Sequence, residues 1–154
     1  MAHIHEKIDF TASVFIVRDG KVLLHKHKRL GIWLQPGGHI ELDEDPVQAV
    51  LREAKEETGL EIELVGEQPQ QFETIYNTRV LMTPRFMNRH FFDADHTHEH
   101  VDLVYFARAK AGEPVAEEDA APVRWMSKEE LTDPALDILP DVQFYALAAL
   151  KELS

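Results

Sequence analysis

Between Asp45 and Gly59 the chain carries the start and the stop of one helix, and that element frames everything around it. Asp45 is a good N-cap, Pro46 suits the first helical position, and Gln48 stands where a capping box places Glu or Gln. Gly59 supplies the left-handed residue that ends the helix. Upstream, Phe10–Val17 is rich in β-branched and aromatic residues and reads as a strand; Asp19-Gly20 then signals a tight hairpin returning through Lys21–His25. Pro36-Gly37-Gly38 reads as a turn and His39–Leu42 as a short strand. Downstream, Glu61–Val65, Phe72–Leu81, Val101–Ala109 and Val123–Met126 read as strands, Ser127–Leu131 as an N-capped short helix and Val142–Leu150 as an amphipathic one. Hairpins combined with a helical crossover predict a mixed β-sheet flanked by helices, α/β or α+β in class.

The helix has an acidic face. At about 100° per residue, Glu56 lies about −60° and Glu57 about +40° from Glu53, so three carboxylates share one arc. Ala49 falls within that arc, Val47, Val50, Leu51 and Ala54 form an adjoining core-facing stripe, and Gln48 and Lys55 occupy the solvated side. Like charges at (i, i+4) are mutually destabilising, so helix stability gives no reason to assemble them. Two readings stand: a solvated acidic surface, or hard oxygen donors converging on Mg²⁺ or Mn²⁺. Arg52, four residues before Glu56, is either an ordinary surface partner or a group that fixes a carboxylate's rotamer. The paired glycines allow close backbone approach, and a carbonyl there can ligate a metal.

A chain of 154 residues is expected to form one domain, residues 1–154, and no apolar run approaches the roughly 20 residues of a membrane span. The opening Met1–Lys7 lacks the apolar stretch of a secretory signal, and a cytoplasmic location is expected. With no cysteine, disulfides, thiolate zinc sites and cysteine nucleophiles are excluded. A formal charge of −12 disfavours DNA and long RNA tracks as partners. An anionic substrate needs a local reversal of that field, which carboxylate-held divalent cations supply.

Read together, these residues resemble the Nudix box, G-x5-E-x7-R-E-U-x-E-E-x-G-U with U apolar. Here it runs Gly38, Glu44, Arg52, Glu53, Ala54, Glu56, Glu57, Gly59, Leu60 with every spacing intact, the small Ala54 being its one mild departure. The resemblance implies an α/β/α sandwich in which the box forms a loop–helix–loop, and metal-dependent hydrolysis of a nucleoside diphosphate linked to another moiety. It implies Mg²⁺ or Mn²⁺ held by Glu53, Glu56, Glu57 and the Gly38 carbonyl. Arg52 is then the residue that orients a carboxylate, and Glu44, Gly37 and Gly59 support the box. Glu53 is the preferred general base. Family members often add a carboxylate from a later loop, and Glu118 in Gly112–Glu118 is the choice here over Glu117.

For the substrate, nucleoside triphosphates or related nucleotides lead, followed by dinucleoside polyphosphates and by a non-catalytic nucleotide sensor on the same fold. Lys26 and Lys28, at strand spacing beyond the hairpin, are candidate phosphate contacts or a solvated edge. Tyr76, 16 residues after the box, is a candidate stacking residue or sheet packing. Arg89–His100 concentrates four histidines; if extended, His96, His98 and His100 project to one side. That segment reads as a polar loop, a zinc site, a substrate contact or a homodimer interface.

Overall fold

The two faces of the first strand decide the layering. In the computed structural model, which describes residues 6–115 and 122–154, β1 (Ile8–Arg18) turns Ala12, Val14 and Ile16 to one side and Phe15 and Val17 to the other, all buried. The first set packs with Ala49, Val50 and Ala54 of α1 (Pro46–Thr58). The second packs with Tyr145, Ala146, Ala149 and Leu150 of α3 (Pro140–Leu153) and with Leu131 of the short α2 (Lys128–Leu131). A sheet with a helical layer on each face is the expected α/β/α sandwich.

Around β1 the sheet is mixed. β2 (Lys21–Lys26) returns antiparallel through Asp19-Gly20, both with positive φ (50° and 71°), the conformation that lets a two-residue turn follow strand twist. β7 (Glu99–Ala109) runs parallel to β1 over ten residue pairs, from Ile8↔Glu99 to Val17↔Arg108. β5 (Ile62–Val65) and β6 (Phe86–Phe91) pair antiparallel with the two halves of β7. β8 (Val123–Met126) and the two-residue β3 (Trp33–Leu34) pair with β2. Among the described residues no helix is long and apolar enough to cross a membrane.

Three expectations need correction. The strand expected at His39–Leu42 is instead β4 (Gly37–His39), antiparallel to Thr11–Ser13. Gly37 lies so close to β1 that a Cβ there would sit 2.6 Å from the Ala12 carbonyl oxygen, so the glycine pair permits pairing rather than a turn. Phe72–Leu81 forms no strand. Its backbone groups are taken by local side chains: Gln71 both donates to and accepts from Val80, and Thr78 donates to the Thr74 hydroxyl. Leu51, placed in the core by the helix wheel, is 39% exposed, and fully buried Ala49 takes its place.

Candidate active site

Helix α1 is held at both ends by the signals its sequence carries. The Asp45 carboxylate accepts from Gln48 N, the Gln48 side chain accepts from Asp45 N, and Gly59 stops the helix at φ 71°. Arg52 therefore leaves the helix at a fixed height. Its Nε and one terminal nitrogen donate to the two oxygens of Glu44 at 2.7 and 2.8 Å, a bidentate clamp across the loop. The other terminal nitrogen donates to Glu53 at 3.0 Å and Glu56 at 3.1 Å, and the one bonded to Glu44 also donates to the His39 carbonyl at 3.2 Å. The clamp holds Glu44 below the usual carboxylate range and raises the already high pKa of Arg52.

Glu53 is also confined from the far side. A Cβ on Gly38 would fall 2.4 Å from Glu53 Oε1, so the carboxylate occupies the space a side chain at 38 would need. Glu57 lies on the other flank, its Oε2 3.3 Å from His25 Nε2. Gln35 O is also 3.3 Å from that nitrogen. Burial lowers the His25 pKa, and two oxygen acceptors facing Nε2 require that nitrogen to carry the ring's hydrogen. One guanidinium thus has Glu41, Glu44, Glu53 and Glu56 within 3.8 Å, with Glu57 adjacent on the helix. That excess of negative charge, hard oxygen donors and the glycine-made space fit a divalent cation such as Mg²⁺ or Mn²⁺.

Beside this cluster opens a cavity of about 370 Å³, whose wall includes Gly37, Gly38, Gln35, His27, Arg29 and Leu139. Its floor is the polar end of the β1–β7 pair. Thr11 and Ser13 donate to opposite oxygens of buried Asp102 at 2.8 and 2.7 Å, and burial raises the Asp102 pKa despite those bonds. His39, His90 and His100 complete it. Burial also lowers the pKa of His100 to about 4, leaving it neutral near pH 7.

The nine box positions are brought together as one unit, with Gly37 pressed on β1 and Gly59 at the helix stop. The candidate substrate contacts are not brought to it. Lys26 and Lys28 are exposed, and the cavity wall takes the alternate residues His27 and Arg29. Tyr76 sits in an exposed turn, 84% accessible, outside the cavity lining. Glu117 and Glu118 lie outside the described residues; Val115 just before them donates to Thr58 O at 2.7 Å, at the C-terminal end of α1. Sequence reasoning missed His25, His39, Thr11, Ser13 and Asp102. The polar alternation Asp9, Thr11, Ser13 within an otherwise apolar strand was the available signal.

Residues 8–148 match the model of the NUDIX domain. A NUDIX-family hydrolase from Clostridium perfringens is 35% identical and superposes with a TM-score of 0.80 over 95% of this chain and 98% of that one. The CTP pyrophosphohydrolase of Escherichia coli K12 is 32% identical over 108 residues, covering 68% of this chain and 78% of that protein. A MutT-like protein of Streptomyces ambofaciens is 43% identical over 53 residues, so the match spans only 34% of that relative's length. Sandwich and carboxylate helix define the class, a Nudix-type hydrolase. The match over residues 8–148 gives the family itself: the chain belongs to the NUDIX family.

Proposed function

We propose that the protein hydrolyses a phosphoanhydride bond in a nucleoside triphosphate or related nucleotide, releasing a nucleoside monophosphate and pyrophosphate from a triphosphate. The observation that carries this reading is the position of Glu53, clamped between Arg52 and the Gly38 backbone beside the cavity. Support for the substrate class comes from the Escherichia coli relative, a CTP pyrophosphohydrolase matched over most of its length. The −12 charge speaks against a polynucleotide substrate.

Glu53, Glu56, Glu57 and the Gly38 carbonyl would hold Mg²⁺ or Mn²⁺, with Glu118 as the added carboxylate. When bound, the metal supplies charge neutralisation at the phosphate oxygens and acidification of the attacking water. Arg52 fixes the Glu53 carboxylate through Oε1, and that carboxylate takes the proton of the water as it attacks phosphorus. The oxygen–phosphorus bond forms as the α–β anhydride bridge breaks, and the bridge oxygen stays on the product not attacked: pyrophosphate if water adds at the α-phosphorus, the nucleoside monophosphate if at the β-phosphorus. His25 packs against Glu57 from the β2 side, its Nε2 3.3 Å from Glu57 Oε2. Arg29 offers a cation to the substrate phosphates from the cavity wall.

The test is phosphate release from a panel of nucleoside triphosphates and dinucleoside polyphosphates with Mg²⁺ or Mn²⁺, with and without added pyrophosphatase. Turnover of a triphosphate that needs metal, yields pyrophosphate and collapses in Glu57→Gln supports the reading. Preferential turnover of dinucleoside polyphosphates replaces the substrate. Tight nucleotide binding without turnover of any panel member overturns it in favour of a sensor.

A further inference from the structure

At the N-terminal end of the β1–β7 pair, separate strands place nitrogen and oxygen donors in one cluster. Asp9 of β1 and His100 of β7 are register partners, and His98 precedes β7 by one residue. One ligand atom from each of Asp9, His98 and His100 lies within 4.8 Å of the other two. His98 Nε2 is 2.7 Å and His39 Nε2 3.4 Å from the same oxygen, Asp9 Oδ2. The His39 and His100 rings are 5.0 Å apart. His39 comes from β4, so the donors converge from three segments of the chain.

We propose that Asp9, His98 and His100, with His39 as fourth donor, bind a transition-metal ion of the Zn²⁺ class behind the cavity wall that His39 and His100 help to form. Three imidazoles and one carboxylate are the donor set zinc takes in four-coordinate sites, whereas Mg²⁺ takes oxygen almost alone. His100 supplies the second observation: its residue is 8% exposed, and its Nε2 is buried with no hydrogen-bond partner among the described residues. A buried ring nitrogen without a partner is an unmet cost that a metal bond removes. A phosphate group does not fit the same place, because the Asp9 carboxylate at the centre of the cluster repels it. His96, grouped with His98 and His100 by strand spacing, is not part of the site. It adopts φ 55° and stacks on Phe91 at 4.4 Å.

An ion on the histidines also restrains β4 next to Gly38, because the His39 carbonyl accepts from Arg52 while its ring faces Asp9. The histidine cluster and the α1 carboxylates nonetheless differ in donor chemistry and respond to different substitutions.

The experiment uses tag-free full-length protein, stripped with chelator and titrated with Co²⁺ and then Zn²⁺. The readouts are the visible d–d band of four-coordinate Co²⁺ and the metal retained after gel filtration. The expected result is one equivalent of Co²⁺ with that band, displaced by Zn²⁺, in both wild type and Glu57→Gln. His98→Asn, a change at a partly exposed side chain, and His100→Asn are expected to weaken the ion at least tenfold. Failure of wild type to develop the band, or loss of the band in Glu57→Gln with retention in His98→Asn, overturns the proposal. Should His100→Asn not fold, wild type, Glu57→Gln and His98→Asn still separate these outcomes.

Discussion

Adding one methyl group at Gly38 separates the site from the fold. A Cβ there would stand 2.4 Å from Glu53 Oε1 and 2.6 Å from Glu53 Cδ, whereas ordinary contact begins at 3.4 Å. The Glu53 carboxylate must therefore retreat by about 1 Å in Gly38→Ala. The obstacle is the end of a flexible side chain, so the backbone can stay in place, and a strand alanine offsets part of the cost through lower chain entropy. Stability should change by about 1 kcal/mol or less. Activity should fall about 100-fold, because a misplacement near 1 Å at a reacting group costs that much. Gly37→Ala is the mirror case. Its Cβ would meet the Ala12 carbonyl oxygen at 2.6 Å and Ser13 Cα at 2.8 Å, both on the β1 backbone. Overpacking of that kind costs about 1–3 kcal/mol, roughly 2–12 °C in Tm for a chain of this size. Steady-state turnover and thermal melts of both variants check the pair. Wild-type kcat in Gly38→Ala, or a Gly38→Ala melt that drops as far as that of Gly37→Ala, would refute the reasoning.

Arg52→Lys should lower activity at least tenfold and stability by about 1–3 kcal/mol, since a single ammonium cannot hold Glu44 bidentately while bonding Glu53 and Glu56; kinetics and urea unfolding read both. Glu44 has a depressed pKa in the folded state, so its contribution is present above its unfolded value, about 4.3, and is lost as pH falls through the folded value. Wild type should thus exceed Glu44→Gln in stability at neutral pH, with the gap closing in acid, as melts across pH will show. Arg29→Ala should raise KM about tenfold, the equivalent of about 1.4 kcal/mol, while Lys28→Ala and Tyr76→Ala leave it within about twofold, because only Arg29 lies on the cavity wall.

What could be read from the chain was local. The α1 boundaries and the Asp19-Gly20 turn depend on hydrogen bonds and dihedrals within a few residues, and the sequence carries them directly. The box spacing likewise made Arg52, Glu53, Glu56 and Glu57 visible as a group. The cavity floor was not legible, because Thr11 and Ser13 meet Asp102 only through the parallel β1–β7 pairing, about 90 positions away along the chain. β6 was missed for a related reason: its Asn88, Arg89 and His90 are polar, and β7 rather than local propensity makes them a strand. Segment 72–81 failed in the opposite sense. Its β-branched and aromatic residues find no sheet partner, and Ile75 and Tyr76 end up 89% and 84% exposed.

Dependence of hydrolysis on the α1 carboxylates is tested most directly by turnover of the best nucleotide of the panel as a function of Mg²⁺ concentration in wild type and Glu53→Gln. The expected result is a saturable requirement for Mg²⁺ in wild type and a fall of about 10²–10⁴ in kcat for the variant, with its melting curve unchanged. Turnover in Glu53→Gln near the wild-type rate, or wild-type turnover that persists in chelator, would contradict it.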